Sequence, residues 1–277
     1  MPRNKKLAAD PYTRLALTLN EHPDWLPIIF EGDSWFSLPG ITNRTNVAKV
    51  LIHKLKGRIA PLELQHSGDD MLDMMKGNQR RKLKYAIAHE RYNFKILLYS
   101  GGGNDLVHDV GSLLHEKHPG MTWQDCINSA ALDAKIDALE AAYRDVVALR
   151  DEHRPNMIIM THSYDEPLVN GVAVDVFGKD VAGPWLLPPM RAKKIVFKDD
   201  QQALARELLL RLRQMQRRVA ADTQRFVLID SMDTLSPEHW GDEIHPTDYG
   251  YRLIAEEFAQ AINRAFPGTF DGHRIKG

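Results

Sequence analysis

Residues 27–35 read PIIFEGDSW, a short apolar run that a glycine and polar residues follow almost at once. The apolar part, Pro27–Phe30, does not alternate between apolar and polar positions, which is typical of a strand buried on both faces of a parallel sheet. Three further runs have the same character: Lys95–Tyr99, Met157–Met160 and Phe226–Ile229. Residues 58–64 form a weaker candidate, and Pro61, which cannot donate a ladder hydrogen bond, places it at the sheet edge.

Longer stretches with helical periodicity separate these runs. Apolar residues recur at steps of three and four within residues 132–147, 204–219 and 253–262, and residues 47–55 and 71–89 also predict helices. A strand and a helix repeated about five times predict an α/β fold, in which helices sandwich a parallel sheet. Because ligands of such sheets bind at the carboxyl ends of the strands, the residues that follow each strand are the first candidates for a site.

One stretch, residues 164–194, interrupts this pattern with prolines and glycines, yet it is also rich in apolar side chains. A long irregular stretch inside a compact domain is commonly a lid or a binding loop, and its apolar content disfavours disorder. We therefore predict a single domain over residues 1–277 with a substrate loop at about 164–194. Phe177 and Trp185 are its candidate substrate contacts.

Two residues at the ends of predicted elements indicate nucleophilic chemistry. Ser34 follows the first strand, and His245 precedes the last helix, which returns it to the same edge of the sheet. A serine hydroxyl needs an adjacent base, and histidine is the usual one because its ordinary pKa of ~6.5 lies near neutral pH. Asp242, three residues earlier, is placed to orient the imidazole. Taken singly, Ser34 also fits a helix N-cap, and Asp242 with His245 fits an ordinary helix start.

Ester or amide chemistry at Ser34 also requires donors for a developing oxyanion. The backbone N–H groups of Ser34 and Gly68 and the side-chain amide of Asn104 are the candidates, since a glycine lets its N–H approach a substrate closely. Asp33 and Asp105 are candidates for bracing the turns of Ser34 and Asn104. His162 follows the fourth strand and is a candidate substrate contact, although a hydrogen-bonded structural histidine fits that position too.

Four blocks carry these residues in order along the chain: GDSW at 32–35, the glycine at 68, GGND at 102–105 and DEIHP at 242–246. Together they resemble the SGNH, or GDSL-type, hydrolases, which show GDSL, GxND and DxxHP blocks. Trp35 departs from the common leucine, and the second block keeps only its glycine. The resemblance implies a three-layer α/β/α sandwich of flavodoxin-like topology, with a five-stranded parallel sheet in the order 2-1-3-4-5. It also implies hydrolysis of acyl esters through an acyl-serine intermediate, with no metal and no other cofactor.

The composition of the 277-residue chain indicates which classes of partner and which cellular compartment to expect. The net charge of −1 disfavours a nucleic-acid partner, which usually calls for a strong basic excess. No apolar run approaches the ~18 residues that a membrane helix needs, and no apolar segment follows the basic N-terminal stretch. A single cysteine, Cys126, fits a reducing compartment. We therefore expect a cytoplasmic protein with a small-molecule ester as substrate.

The sequence thus predicts a serine esterase, and it leaves two alternatives open. The same acyl-serine can pass its acyl group to an alcohol, which would make the protein an acyltransferase. A non-catalytic binding module on the same fold is the other alternative, and the complete set of candidate residues argues against it. The apolar side chains of residues 164–194 slightly favour a hydrophobic acyl group.

Overall fold

The carboxyl ends of five parallel strands define one edge of the molecule. The computed structural model describes residues 10–38, 42, 44–176 and 178–267. The strands of the main sheet are β1 (Leu26–Gly32), β2 (Ile59–Glu63), β3 (Ile96–Ser100), β4 (Ile158–His162) and β7 (Phe226–Ile229). Their spatial order is β2-β1-β3-β4-β7, and every neighbouring pair is parallel. Counted within this sheet alone, this is the predicted order 2-1-3-4-5, and the strand with Pro61 lies at the predicted edge.

Helices cover both faces of this sheet. They are α1 (Pro11–Glu21), α2 (Val47–Lys54), α3 (Met71–Met74), α4 (Gly77–Ala88), α5 (Gly103–His108), α6 (Ser129–His153), α7 (Leu187–Ala192), α8 (Lys198–Asp222) and α9 (Asp248–Ala265). Helices α2 and α9 pack on each other, and α4 and α8 both pack on α6. The result is the three-layer α/β/α sandwich that the sequence predicted. Among the described residues, no helix is long and apolar enough to cross a bilayer.

Two local predictions were wrong in detail. Residues 71–89 form two helices instead of one, because the chain leaves the helical conformation at Met75 and Lys76. Residues 164–194 are not irregular throughout. They contain the antiparallel hairpin of β5 (Val174–Val176) and β6 (Lys179–Ala182), followed by α7. Phe177, a predicted substrate contact, lies outside the described residues.

The central strands are apolar on both faces because helices bury both faces. Every residue of β1 and of β3 is buried, and Ile28, Ile29 and Phe30 have no exposed surface. Burying a side chain of this kind contributes about 1.5–3 kcal/mol. This continuous burial explains why the strands read as unbroken apolar runs, and it holds the polar residues that follow them at fixed positions.

Gly32 ends β1 in a conformation that other residues rarely adopt. Its φ is +146°, and a Cβ added there would lie 2.4 Å from the carbonyl oxygen of Ser100 on β3. The missing side chain lets the two strand ends approach, so that the N–H of Asp33 donates to the Ser100 carbonyl at 3.2 Å. The turn that carries Ser34 therefore starts at a strand end where only glycine fits.

Glu31, one residue earlier, is a buried carboxyl group whose burial raises its pKa to about 8. The folded protein therefore holds a proton on Glu31 in a pH range where the unfolded chain, with a pKa of 4.5, has lost it. Stability must fall as the pH rises through this range, because the folded state binds the extra proton.

We expect Glu31→Gln to remove this loss while keeping the shape of the side chain. The difference between the free energies of unfolding, variant minus wild type, should increase by on the order of 1 kcal/mol per pH unit between pH 5 and 8. Urea unfolding at four pH values measures it. Glu21→Gln, at an exposed position at the end of α1, is the control. Parallel pH profiles for Glu31→Gln and wild type would contradict the assignment.

Candidate active site

Ser34, His245 and Asp242 meet at the carboxyl edge of the sheet and form a triad-like chain of hydrogen bonds. The Ser34 hydroxyl lies 2.9 Å from Nε2 of His245, and Nδ1 of His245 lies 2.9 Å from Oδ1 of Asp242. The carboxylate holds the imidazole in the tautomer that carries its proton on Nδ1, which leaves Nε2 free to accept from the serine. All three side chains are buried, although 211 residues separate the serine from the histidine. The sequence named these three residues together, and the structure brings them together.

The local backbone of the DEIHP loop sets the position of the aspartate. Its Oδ1 accepts the N–H groups of Ile244 at 3.0 Å and of His245 at 2.9 Å, so that the side chain closes a tight turn around itself. Burial raises the pKa of Asp242, but the hydrogen bonds from His245, Arg44 and the Ile244 N–H together hold it below its ordinary value. Asp242 is therefore ionised at neutral pH and able to stabilise a positive charge on the imidazole.

Arg44 is a member of the site that the sequence did not reveal. Its Nη1 donates to Oδ2 of Asp242 at 2.8 Å, and its Nη2 donates to the carbonyls of His245 at 3.2 Å and Pro246 at 2.7 Å. A Cβ on Gly241 would lie 2.1 Å from the same guanidinium, so glycine there makes room for it. Arg44 lies in the connection between β1 and α2, where no motif distinguishes it from the other arginines of the chain.

Asp33 holds the turn that presents Ser34. Its Oδ1 accepts the N–H of Trp35 at 3.0 Å and the hydroxyl of Ser100 at 2.8 Å, and its Oδ2 accepts the hydroxyl of Tyr164. Burial raises the pKa of Asp33, against these hydrogen bonds. The donors come from the ends of β1 and β3 and from the segment after β4, so this one carboxyl group joins three neighbouring strand ends.

His162 does not reach the surface that a substrate would contact. It is completely buried at the end of β4, and its ring stacks on Trp35 with centroids 5.1 Å apart. Its Nδ1 accepts the N–H of Tyr164 at 3.2 Å, and its Nε2 lies 2.8 Å from the Ser100 hydroxyl. Burial lowers its pKa to about 3, which keeps it neutral. The predicted substrate contact is thus replaced by the structural, hydrogen-bonded histidine that was the alternative.

The candidate oxyanion donors line one cavity together with the triad. Ser34, Gly68, Asn104 and His245 all border a cavity of about 220 Å³. The side-chain amide of Asn104 donates one hydrogen to the carbonyl of Asp69 at 3.0 Å, and an amide group carries a second hydrogen. Gly68 has a φ of +83°, and no atom lies within 4 Å of the position of a Cβ there. The backbone at Gly68 is therefore open to a ligand.

Asp105 braces a different element from the one that the sequence suggested. Its carboxylate accepts the N–H groups of Met71 at 2.7 Å and Leu72 at 3.0 Å, the first residues of α3. It therefore ties α5 to the segment that carries Gly68, instead of closing the turn of its neighbour Asn104. Across residues 10–38, 42, 44–176 and 178–267, no three His, Cys, Asp or Glu side chains are grouped so that they could hold a metal ion.

Comparison with known proteins identifies the fold. No protein-family model matches the sequence, and a search of curated proteins finds no match. Among solved structures, a carbohydrate esterase of family 3 from Talaromyces cellulolyticus is 12% identical with a TM-score of 0.50, and the match covers 87% of this chain and 97% of that one. The lipase Lip_vut3 from a goat rumen metagenome is 14% identical with a TM-score of 0.50, over 85% and 97%. An extracellular lipase from Streptomyces rimosus is 15% identical with a TM-score of 0.50, over 85% and 99%. The chain has the SGNH-hydrolase fold. This confirms the fold that the four sequence blocks implied.

Trp35, which stands where the GDSL block commonly has a leucine, connects the turn of Ser34 to the loop of His245 and Asp242. Its Nε1 donates to the carbonyl of Ile244 at 3.1 Å, in the loop that carries His245. Its ring also contacts Tyr164 and Trp240, with centroids 5.2 and 6.2 Å away. A leucine has neither the donor nor the reach, so the tryptophan adds a direct link between the nucleophile turn and the histidine loop.

Glu243 joins the 164–194 segment to the loop that carries Asp242 and His245. The residue lies between Asp242 and His245 in the loop, and its buried carboxylate accepts the N–H groups of Gly171 at 3.1 Å, Leu186 at 2.7 Å and Leu187 at 3.0 Å. Trp185 is thereby held with its ring 5.3 Å from that of His245, on the wall of the 220 Å³ cavity. Trp185, a candidate substrate contact from the sequence, therefore lies on the wall of a cavity that Ser34 also borders. Glu243 had no signal in the sequence beyond its position inside the DEIHP block.

Replacing Arg44 tests the support of Asp242. The low pKa of Asp242 means that its ionised form stabilises the fold at neutral pH, and that this contribution is lost as the pH falls through that pKa. Arg44→Met raises this pKa, so acid unfolding followed by circular dichroism should begin at a higher pH. We also expect a loss of ~2–3 kcal/mol at pH 7, somewhat less than for breaking a fully buried pair.

Arg144→Met is the matched control for that measurement. Arg144 is exposed and pairs with Glu140 and Asp222 on the surface, and surface pairs are worth only about 0–1 kcal/mol. Equal effects of the two substitutions, or an unchanged acid transition in Arg44→Met, would show that the guanidinium does not support the aspartate.

Glu243→Gln tests the fastening of the segment. Glutamine keeps one acceptor oxygen but turns the other into a donor, which faces backbone N–H groups that then lack a partner. We expect the segment to open locally while the rest of the fold persists, so that limited trypsin treatment cuts at Lys179 earlier than in the wild type. Mass spectrometry of the fragments reads this out. Identical cleavage rates in the two proteins would disprove the role of the carboxylate.

Proposed function

We propose that this protein is a serine esterase that hydrolyses a carboxylic ester through an acyl-serine intermediate. The observation that carries the proposal is the unbroken chain from Ser34 Oγ to His245 Nε2 and from His245 Nδ1 to Asp242, at 2.9 Å for each step. Nucleophile, base and orienting carboxylate within hydrogen-bond reach are the general signature of an activated serine.

The acylation half-reaction uses these atoms in a fixed order. Ser34 Oγ attacks the acyl carbonyl carbon while its proton passes to Nε2 of His245, and the carbonyl oxygen becomes an oxyanion. Collapse of this intermediate breaks the bond to the alcohol oxygen, which takes the proton back from Nε2. Asp242 stabilises the imidazolium in between without becoming protonated. The product is an ester of the acyl group with Ser34, and the free alcohol leaves.

Deacylation repeats the sequence with water in place of serine. Water gives a proton to Nε2 of His245 as its oxygen attacks the acyl carbon, and Ser34 Oγ regains that proton when the carboxylic acid leaves. In both half-reactions the oxyanion is proposed to receive hydrogen bonds from the N–H groups of Ser34 and Gly68 and from the second amide hydrogen of Asn104. Removing one such donor commonly lowers kcat by ~10²–10³-fold.

The structural neighbours support an ester as the substrate. The three solved structures described above are named as a carbohydrate esterase and two lipases. Enzymes with such names cleave ester bonds in sugars and in lipids. Fold alone does not choose between such substrates. The proposal therefore takes from them the bond that is cleaved, and it takes the roles of individual residues from the geometry of this chain.

Intact-mass labelling with a fluorophosphonate tests the proposal. We expect a single stoichiometric adduct on the wild type, and none on Ser34→Ala or His245→Gln, because the hydroxyl is a weak nucleophile without its base. Ser37→Ala alters a serine in the same turn that has no contact with His245 among those described, and it should label like the wild type.

Hydrolysis of p-nitrophenyl acetate should follow the labelling. We expect Ser34→Ala to lose activity by about 10³-fold or more. A folded wild type that is neither labelled nor active would overturn the esterase proposal in favour of a binding role. Transfer of the acetyl group to an added alcohol in preference to water would instead identify an acyltransferase that uses the same acyl-serine.

A further inference from the structure

Two cavities of very different size meet at Ser34. The wide cavity, of about 220 Å³, is bordered by Gly68, His108, Val174, Val181, Trp185 and His245. The narrow cavity, of about 30 Å³, is bordered by Trp35, Val107, Tyr164, Pro167, Leu209 and Trp240. Ser34, Asn104 and Ile244 border both. An ester bound at Ser34 therefore has one place for each of its two halves.

The position of His245 decides which half enters which cavity. The histidine must return its proton to the leaving alcohol, so the alcohol oxygen has to lie within hydrogen-bond reach of Nε2. His245 borders the wide cavity and does not border the narrow one. The alcohol half therefore extends into the wide cavity, and the acyl chain, on the other side of the carbonyl carbon, points into the narrow one.

The narrow cavity has room for very few atoms. A cavity holds one water molecule at ~10–15 Å³ on this measure, so about 30 Å³ leaves room for only two or three non-hydrogen atoms. Trp35, Tyr164 and Leu209 are nearly or fully buried in the core, with exposed fractions of 4%, 3% and 6%. Close-packed walls of this kind resist the insertion of extra methylenes, at a typical cost of about 1–3 kcal/mol.

Most of the side chains that line the narrow cavity are apolar. Asp165 also borders it, but its carboxylate accepts the N–H groups of Glu166 at 2.6 Å, Asp233 at 2.9 Å and Leu235 at 2.6 Å. These three bonds satisfy the carboxylate from the protein side. What remains toward Ser34 is a small hydrocarbon surface, which suits the methyl group of an acetyl ester.

The wide cavity has about seven times the volume and a different wall. Val174 and Val181, from the β5–β6 hairpin, and Trp185 form its apolar side. His108, which is hydrogen-bonded to Asp70 at 2.8 Å, also borders it and adds a polar group to the lining. The sequence associated the apolar 164–194 segment with the acyl group, whereas in the arrangement inferred here its apolar residues lie beside His245, on the side of the alcohol.

We infer that the substrates are esters of a short acyl group, acetyl above all, with a much larger alcohol that carries both apolar and polar groups. This rests on the proposed esterase function, and it assigns the selectivity for chain length to the narrow cavity. Val107 is the residue to alter, because it is only partly buried on α5 and its truncation opens the cavity without cutting into the core.

The test compares p-nitrophenyl acetate, butanoate and hexanoate, which share one leaving group. For the wild type we expect kcat/KM to fall by about 10-fold or more from acetate to hexanoate, since a pocket without room for one methylene commonly discriminates by 10–200-fold. Val107→Ala should raise the hexanoate-to-acetate ratio by about 5-fold or more. Val181→Ala, the same truncation on the wall of the wide cavity, should leave this ratio within about 2-fold of the wild type.

Each outcome supports or overturns the inference. Ser34-dependent hydrolysis of hexanoate as fast as of acetate would overturn the acetyl preference and leave the esterase intact. A shifted ratio in Val181→Ala but not in Val107→Ala would mean that the acyl chain enters the wide cavity. No Ser34-dependent hydrolysis of any of the three esters, together with no fluorophosphonate adduct, would remove the esterase proposal and this inference with it.

Discussion

The carboxyl group of Asp33 collects hydrogen bonds from three separate strand ends, and the position of Ser34 depends on them. Its donors are the N–H of Trp35, the hydroxyl of Ser100 and the hydroxyl of Tyr164. A hydrogen bond typically contributes about 0.5–1.5 kcal/mol net, and a buried acceptor left without its donor costs ~1–3 kcal/mol. Removing any one donor would therefore weaken the support of the turn that carries Ser34, the next residue along the chain.

The loop from Gly241 to Pro246 is held on three sides, which explains how a histidine 211 residues from the serine meets it at 2.9 Å. Trp35 binds the loop from the nucleophile turn, and Arg44 binds it from the connection that follows β1. Glu243 binds it to the 164–194 segment. The precision of the triad thus depends on side chains outside the triad, each of which joins the loop to a different part of the chain.

The sequence was sufficient for those features that local chemistry determines. Buried strands are apolar on both faces, so they can be recognised in the sequence. The carboxyl ends of parallel strands meet at one edge of the sheet, so Ser34, Asn104 and His245 could be placed near one another from the sequence. The features that it missed depend on distant partners. Arg44 meets Asp242 only after folding, and His162 became structural because Trp35 covers it. The hairpin was missed because prolines and glycines around it obscured the alternating valines at 172, 174 and 176.

The three backbone N–H groups that converge on Glu243 restrict how this protein can be re-engineered or can diversify. Any foreign segment grafted in place of residues 164–194 would have to present amide hydrogens at equivalent points, or it would leave a buried carboxylate without partners next to the base. Shortening or lengthening the graft between Gly171 and Leu186 is tolerable only if both ends still reach that carboxylate. Single exchanges on the β5–β6 hairpin therefore change the wall of the wide cavity with less disturbance than replacement of the whole segment.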